Sequence, residues 1–338
     1  MGKTTISWTD YSWPVVNGCR RVSPGCEHCY AERLTATRLT HLPKYAGLAG
    51  MSGPGRQPQW TGASRLWAPD LEMPFKTRTP SKIFVCDMGD LFFEGVPDAW
   101  IDQVFAVMAF SPQHTFQVLT KRPKRLLDYF AGLEHRRQRF VHEHLGYFAE
   151  ILEPLMSTAV LDQAWERTRQ WYHGTAPATC IGDATAWPWP LPNVWLGTSV
   201  ENQATADERI PWLLKTPAAL RFVSVEPLLA PLQLEKLGPW HEPGMACPRE
   251  VYPLAGLMAI PDSDWDVGRI GWAIIGGESG PGFRPMELAW LTDLIDQCRA
   301  AHVPVWVKQD AARRPGQQGR IPDEYFLHEF PRDKEVPQ

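Results

Sequence analysis

Three cysteines near the N-terminus have the spacing best suited to metal chemistry. Cys19, Cys26 and Cys29 form a Cys-x6-Cys-x2-Cys array in a loop containing Gly and Pro, directly before a predicted helix over 31–39. Thiolates are soft ligands that favour zinc or iron–sulfur clusters. Because only three cysteines cluster here, the array predicts a metal centre with one coordination position open or filled by another group.

Polar motifs follow the predicted strands along the rest of the chain. They are Asp87-Met88-Gly89-Asp90, Thr120-Lys121-Arg122, Ser199-Val200-Glu201-Asn202, Ser224-Val225-Glu226-Pro227, the 276–284 segment with Glu278 and Arg284, and Lys308-Gln309. The carboxyl ends of parallel strands meet at one edge of a sheet, so we expect these groups to line one cavity. A carboxylate such as Glu226 is costly to bury unpaired, which favours an ion pair or a function.

An alternation of β-rich and helical runs would position these motifs. Six runs are predicted as strands: 81–87, 115–120, 193–200, 220–225, 271–276 and 303–307. A seventh strand is predicted within 11–18. Helices are predicted over 97–110, 123–129, 206–215 and 287–301, where apolar residues recur at helical spacing. This alternation is typical of α/β proteins with a parallel sheet. We therefore predict one domain over 1–338, a partial (βα) barrel of six or seven parallel strands.

Three segments interrupt this alternation and are predicted to be insertions over the carboxyl ends of the strands. The first, 39–80, is rich in Gly and Pro. The second, 131–192, begins helical and ends in a Trp/Pro-rich stretch that contains Trp187-Pro188-Trp189-Pro190. The third, 232–269, is expected to be mostly loop. Cys180 and Cys247 lie within the second and third insertions, where an auxiliary site is only weakly suggested.

The bulk composition limits the class of protein. Hydrophobic residues make up 44% and charged residues 21% of the 338 residues, a balance typical of soluble globular proteins. The formal net charge of −4 gives no general attraction to nucleic acid, although a local basic groove remains possible. The chain shows neither a signal peptide nor an apolar run of membrane-spanning length, so we expect a cytoplasmic protein without membrane contact.

An ordered series of motifs resembles a known family. The series is GCRRVSPGCEHCYA, MGDLFFEGVP, FQVLTKRP, SVENQ, RFVSVEPLL, GGESGPGFRPM and VKQ, which together span most of the chain. It resembles the phage-associated three-Cys-motif family of uncharacterised function, a relative of the radical S-adenosylmethionine enzymes in the style of spore photoproduct lyase. The common radical spacing is Cys-x3-Cys-x2-Cys, whereas here the first gap is six residues and His28 occupies the position usually held by an aromatic residue.

The resemblance implies a 4Fe-4S cluster on Cys19, Cys26 and Cys29 that cleaves S-adenosylmethionine reductively to a 5′-deoxyadenosyl radical. The residues it implies for cofactor binding are Asp87, Gly89, Asp90, Thr120, Lys121, Ser199, Glu201 and Asn202. The residues it implies for holding the substrate at the catalytic centre are Glu226, Glu278, Arg284 and Lys308.

The expected substrate is a nucleobase in phage-type DNA, such as a modified thymine, or a nucleotide. Trp8, Trp13 and the Trp-rich insertion are candidate groups for stacking on the base. An external reductant such as flavodoxin or ferredoxin is the implied electron donor. If the protein is encoded by a phage, its compartment is the host cytoplasm.

Two other classes of function stay open at the level of sequence. The cysteines could hold a structural zinc ion, completed by His28 or His41, in a binding module without catalysis. Alternatively, Glu226 and Glu278 could serve as the acid/base pair of a barrel hydrolase. For single residues, helix capping by Ser199 or Asn202 and a solvated Lys121 are equally reasonable interpretations.

Overall fold

The computed structural model describes residues 1–53, 55–138, 150–175, 190–244, 248–260 and 263–332. Its centre is an eight-stranded sheet in which seven neighbouring strands are parallel and the first strand is antiparallel to the second. The strands in spatial order are β1 (Gly2–Lys3), β2 (Tyr11–Trp13), β7 (Lys82–Val85), β8 (Thr115–Thr120), β9 (Val194–Ser199), β10 (Leu220–Val225), β15 (Ile270–Gly276) and β16 (Val305–Gln309). The predicted α/β class with a mostly parallel sheet is confirmed.

The parallel strands neighbour one another in chain order, and helices connect most of them. The helices are α1 (Tyr30–Thr37), α2 (Met73–Lys76), α3 (Asp98–Ala109), α4 (Pro123–Gln138), α5 (Thr158–Thr175), α6 (Gln203–Lys215) and α7 (Leu288–Ala300). In α3, Ile101, Val104, Phe105 and Met108 recur at helical spacing and are fully buried. Such a strand–helix–strand arrangement brings the carboxyl ends of all seven strands to the same edge of the sheet.

Side chains on the parallel strands alternate between two apolar layers. Val85, Val223 and Ile275 belong to the larger layer, which also includes the buried faces of α3, α4, α6 and α7. Residues at the alternating positions form a second, aromatic layer with the N-terminal segment, and they include Trp8, Phe84, Trp195, Phe222, Trp272 and Trp306. The Trp8 and Phe84 ring centroids lie 4.7 Å apart. This second layer fills the sheet face that the connecting helices leave open.

The segment 232–269 differs from the expected loop. It contains an antiparallel sheet of β11 (Leu237–Trp240), β12 (Arg249–Tyr252), β13 (Leu257–Ile260) and β14 (Ser263–Asp266). Trp240 packs edge-on against Trp212 of α6 at 4.8 Å. None of the described residues of this segment lines the cavity at the strand ends. The sequence prediction failed because four-residue strands interrupted by Gly and Pro show too little alternation to be recognised.

The segment 39–80 lies beside the cysteine loop. It contains the hairpin of β4 (Ala49–Ser52) and β5 (Gln57–Trp60), followed by β6 (Arg65–Leu66), which pairs with β3 (Val16–Asn17). Trp60 lines the cavity, so this insertion does border the strand ends. In the second insertion, Cys180 and the Trp187–Pro190 stretch up to residue 189 lie outside the described residues, as does Cys247 in the third.

No helix within the described part of the chain is long and apolar enough to cross a membrane.

Candidate functional site

A cavity of about 230 Å³ opens at the carboxyl ends of the parallel strands. Its lining includes Cys19, Cys26, Cys29, Asp87, Gly89, Asp90, Thr120, Lys121, Ser199, Glu226, Glu278 and Lys308, all of them expected from the sequence. Glu201, Asn202 and Arg284 were also expected there but do not line it. The cysteine loop and six strand ends therefore meet around one space.

The loop that carries the cysteines makes one short turn and then starts a helix. Pro24–Cys26 form a single 3₁₀ turn, and Cys29 is the residue before the first turn of α1. Gly18 enters the loop with φ of 93°, and a Cβ atom there would lie 2.2 Å from the carbonyl oxygen of Ala63. Only glycine fits this close approach. The three thiols are free and partly exposed.

Arg122, which follows β8, contacts the first cysteine. Its Nη1 lies 3.7 Å from Cys19 Sγ and 3.0 Å from Asp90 Oδ2, and its Nη2 donates to the carbonyl oxygen of Arg20 at 2.9 Å. The remaining Nε donates to Glu94 at 2.9 Å. Burial and the negative charge of Asp90 raise the pKa of the Cys19 thiol to about 12, although the positive charge of Arg122 acts to lower it. Arg122 is thus a cation placed directly beside a candidate ligand.

Both carboxylate oxygens of Asp90 accept hydrogen bonds from the protein. Oδ1 accepts hydrogen bonds from Thr120 Oγ1 at 2.7 Å and the Phe92 amide at 2.9 Å. Oδ2 accepts from the Lys121 amide at 3.1 Å as well as from Arg122. Asp90 and Thr120 therefore hold the turn after β8 in place, and their polar atoms already have protein partners.

Glu201 ties the middle of the cysteine loop to the end of β9. Its fully buried carboxylate accepts a hydrogen bond from Ser23 Oγ at 2.7 Å and forms ion pairs with Lys121 and Arg209. Burial alone would raise its pKa, but the charges of Lys121 and Arg209 hold that pKa below the usual range. The side chain is therefore an anion whose partners fix the loop between Cys19 and Cys26.

Glu278 and Arg284 hold the last part of the loop. Glu278 Oε2 lies 2.9 Å from His28 Nδ1, and Glu278 Oε1 accepts from Arg284 Nη2 at 2.5 Å. Arg284 also donates to Glu27 Oε2 at 3.0 Å and to the Pro24 carbonyl oxygen at 2.9 Å. Burial opposes ionisation of Glu278, but Arg284 and His28 keep its pKa below the usual value. Glu278 and Arg284, two of the four residues predicted to hold substrate, thus contact the cysteine loop, and Glu278 also lines the cavity.

Glu226 and Lys308 form an ion pair on the cavity wall. Lys308 Nζ lies 2.5 Å from Glu226 Oε1, and Gln309 Nε2 lies 3.3 Å from the same oxygen. Both charged side chains keep a part of their surface exposed, 18% for Glu226 and 17% for Lys308. No hydrogen bond or ion pair joins them to the described residues of the cysteine loop, so they are candidates for contact with a bound molecule.

Asp87 has an oxygen without a protein partner. Its Oδ1 is buried and accepts no hydrogen bond from any described residue, although Asp87 lines the cavity. Burial raises the pKa of this carboxyl to about 6, against the lowering effects of Ser12 and Lys44. A buried, unsatisfied acceptor is costly, so this oxygen destabilises the folded protein when the carboxyl is ionised.

Asn202, one of the expected binding residues, caps a helix and does not line the cavity. Asn202 is the N-cap of α6, where it accepts from the Thr205 amide at 3.0 Å in a reciprocal capping box, and this confirms the capping interpretation.

Sequence reasoning missed the roles of Ser23, His28 and Arg209. Ser23 and His28 stood inside the cysteine motif itself, which was the available signal, whereas Arg209 is one of many helix arginines.

The thiols fit an iron–sulfur cluster in kind and location, and the donor geometry adds detail. Within the described ranges, no group of three or more His, Cys, Asp or Glu side chains stands close enough to hold one metal ion. A single ion needs its donors to converge on one point, whereas each thiolate of a four-iron cluster binds a different iron. Cys19, Cys26 and Cys29 supply thiols of the kind that a cluster binds, on residues that line the cavity.

The tryptophans expected to stack on a base are core residues. Trp13 is fully buried and Trp8 is 2% exposed, packed in the aromatic layer at the floor of the cavity. The core-packing alternative is therefore correct for Trp13, and Trp8 offers only an edge to the cavity.

One family model matches the chain, over residues 3–331, and its description is "Protein of unknown function (DUF5131)". Neither the curated proteins nor the solved structures contain a match.

Proposed function

The chain belongs to the protein family of unknown function DUF5131, and from its own residues we propose that it is a radical S-adenosylmethionine enzyme. Cys19, Cys26 and Cys29 would hold a 4Fe-4S cluster at the cavity wall. When bound, such a cluster supplies the electron for reductive cleavage of S-adenosylmethionine to a 5′-deoxyadenosyl radical. The protein's own side chains would hold the cysteine loop and bind the molecules in the cavity.

The observation that carries the proposal is how the cysteine loop is held. Charged groups from three strand ends contact it: Arg122 at Cys19, Glu201 at Ser23, and the Glu278–Arg284 pair at His28. None of these contacts needs a metal, so the loop is preorganised with its thiols toward the cavity. Metal sites in general need neighbouring side chains that orient the metal ligands. An ordinary surface loop does not need buried ion pairs of this kind, so their presence here supports a metal site.

Asp87 and Ser199 are the groups left to receive S-adenosylmethionine. Asp87 lines the cavity, and its carboxylate would suit the cationic ammonium of the methionine moiety. Thr120, Lys121 and Glu201 already bind one another or their neighbours, so they support the binding residues rather than contact the cofactor. The Glu226–Lys308 pair would face the substrate.

We also propose that the sheet is a partial barrel. Its parallel strands follow in chain order, which is the order of α/β barrels. Trp306 of β16 donates from Nε1 to Ser7 Oγ at 3.0 Å, so the last strand approaches the segment before β2. If the sheet curves so that its last strand approaches the N-terminal segment, the aromatic side chains of several strands would pack together on its inner face.

The substrate we propose is a nucleobase in DNA or a nucleotide, with a flavodoxin or ferredoxin as electron donor. The resemblance of the motif series to radical enzymes that act on thymine lesions supports this choice. The chain would act in the cytoplasm, or in the host cytoplasm if a phage encodes it.

The contacts of Glu278 bear on the two other classes and argue against the hydrolase. His28, a candidate fourth zinc ligand, is held through its Nδ1 by Glu278, which fixes the imidazole to the strand end after β15. Glu278 is salt-bridged with a lowered pKa, so it is a poor proton donor for a hydrolase that pairs it with Glu226.

Metal analysis tests the proposal. We expect the anaerobically reconstituted protein to contain iron and sulfide, and the Cys26→Ala variant to lose nearly all of both while keeping its fold. Cys298→Ala is the matched control, because Cys298 is buried on α7 away from the cavity and should leave the iron content unchanged. Stoichiometric zinc without sulfide in the native protein would overturn the proposal.

A further inference from the structure

Three arginines without a carboxylate partner border the cavity from two directions. Arg33 lies in α1, directly after the cysteine loop, whereas Arg313 and Arg314 lie in the exposed loop after β16. No described residue forms an ion pair with any of the three, although many surface arginines of this chain are paired, such as Arg299 with Asp296. We refer to Arg33, Arg313 and Arg314 as the arginine rim.

Backbone contacts bring the members of the rim together. Ser279, which lines the cavity, pairs with Ala312, and the Gly280 amide donates to the Ala312 carbonyl oxygen at 3.0 Å. A Cβ atom at Gly280 would lie 3.4 Å from Arg33 Nη1. Gly280 therefore separates Arg33 from the residue that immediately precedes Arg313. The rim is a continuous basic edge at the side of the cavity formed by β15 and β16.

The charge at this edge differs in sign from that of the whole chain. Residues 308–320 contain four basic side chains and one acidic side chain, Asp310, in a protein with a net charge of −4. Asp310 is itself bound by Arg320 at 2.9 Å, so it does not neutralise Arg313 or Arg314. Unpaired like charges repel one another, and an anionic partner would relieve that repulsion.

We propose that the arginine rim binds the phosphate backbone of a nucleic-acid strand and so places a base at the mouth of the cavity. This inference rests on the proposed function for its purpose, since it names the polymer that would carry the substrate base. The cations stand along an edge on separate elements and do not converge in a pocket, which suits successive phosphates of a strand better than one small phosphate. Arginine is suited to such bidentate phosphate contacts.

A pair of matched double variants tests the rim. Arg313→Gln/Arg314→Gln removes two exposed charges at the cavity edge. Arg78→Gln/Arg269→Gln removes two exposed, unpaired charges next to the amino ends of β7 and β15, at the opposite edge of the sheet. The measurement is fluorescence anisotropy of a labelled single-stranded DNA oligonucleotide, titrated with each full-length protein at several salt concentrations.

We expect the rim variant to bind at least about tenfold more weakly than the native protein and the control variant to bind equally well. The slope of log K against log salt should fall by about 1.4 in the rim variant, since each phosphate contact to a single strand contributes about 0.7. Absence of binding by the native protein, or equal loss in both variants, would overturn the inference.

Failure of the rim and failure of the proposed chemistry are distinguishable. Iron content and cleavage of S-adenosylmethionine without DNA should be the same in the rim variant and the native protein. A protein that binds DNA through the rim but holds no cluster contradicts the proposed function alone. A protein that holds the cluster but binds DNA independently of the rim contradicts this inference alone.

Discussion

Asp87 lines the cavity, and one oxygen of its carboxyl is buried without a hydrogen bond from any described residue. The Asp87→Asn substitution should therefore stabilise the protein while weakening its affinity for S-adenosylmethionine. The folded-state pKa of about 6 lies above the ordinary value of 3.8, so the folded state holds this proton more tightly than the unfolded state. Native stability is then greatest below about pH 4 and falls as the pH rises to 6.

The expected gain for Asp87→Asn at pH 7.5 is about 1–3 kcal/mol in the free energy of unfolding, with little difference at pH 4. Urea denaturation at both pH values measures it, and isothermal titration with S-adenosylmethionine measures the affinity. Asp90→Asn is the control, since it replaces one of two accepting oxygens with an NH2 group, disrupts the hydrogen bonds to that oxygen and should destabilise at pH 7.5. Loss of stability in Asp87→Asn would show that the carboxylate is structural.

Arg122 is expected to tune the cluster through its contact with Cys19. A cation and an N–H donor beside a ligating sulfur favour the more negative, reduced cluster. Arg122→Gln should lower the midpoint potential relative to the native protein, whereas Arg125→Gln, which only breaks a surface pair with Asp98, should not. Potentiometric titration followed by electron paramagnetic resonance checks this, and equal potentials in all three proteins would contradict it.

At the scale of elements, the Glu278–Arg284 pair should control how firmly the cysteine loop holds its cluster. Glu278→Gln weakens the contacts to His28 and Arg284, so we expect faster loss of iron to a chelator and faster hydrogen exchange in the peptide covering residues 20–29. Glu235→Gln changes an exposed glutamate elsewhere and serves as the control. Unchanged exchange in Glu278→Gln would mean that the loop does not depend on this pair.

The elements themselves were predictable where their pattern was strong. The 115–120 and 220–225 strands match the observed β8 and β10, because continuous apolar runs between turn signals define them. Helix α4 continues to Gln138, well beyond the expected 129, since its second half is amphipathic without a stop signal. The antiparallel sheet within 232–269 escaped prediction because its strands are short and gain their stability from pairing and from α6.

The site was predictable in place but not in detail. Topology alone brings the strand-end residues to one edge, so the location of the cavity followed from the order of elements. Which charge pairs with which depends on side-chain geometry across elements far apart in sequence, as for Glu278 and His28. Glu201, Glu278 and Arg284 consequently turned out to hold the cysteine loop, whereas Asp87, Ser199, Glu226 and Lys308 line the cavity.

At the scale of the whole molecule, one edge of the sheet combines the cysteine loop, the unsatisfied Asp87 and the arginine rim. The opposite edge carries none of these, although it holds its own unpaired arginines. Thiols, a buried acceptor and cations are thus concentrated at the carboxyl ends of the parallel strands, which supports our proposal of a cofactor-dependent enzyme. The central claim is therefore a claim about chemistry at that edge.

Quantification of 5′-deoxyadenosine tests this claim most directly. The anaerobically reconstituted protein is mixed with dithionite and S-adenosylmethionine, and the products are measured by mass spectrometry beside the Cys26→Ala variant. We predict 5′-deoxyadenosine and methionine from the native protein and neither above background from the variant. A reconstituted native protein that binds zinc, remains colourless and forms no 5′-deoxyadenosine would contradict the account.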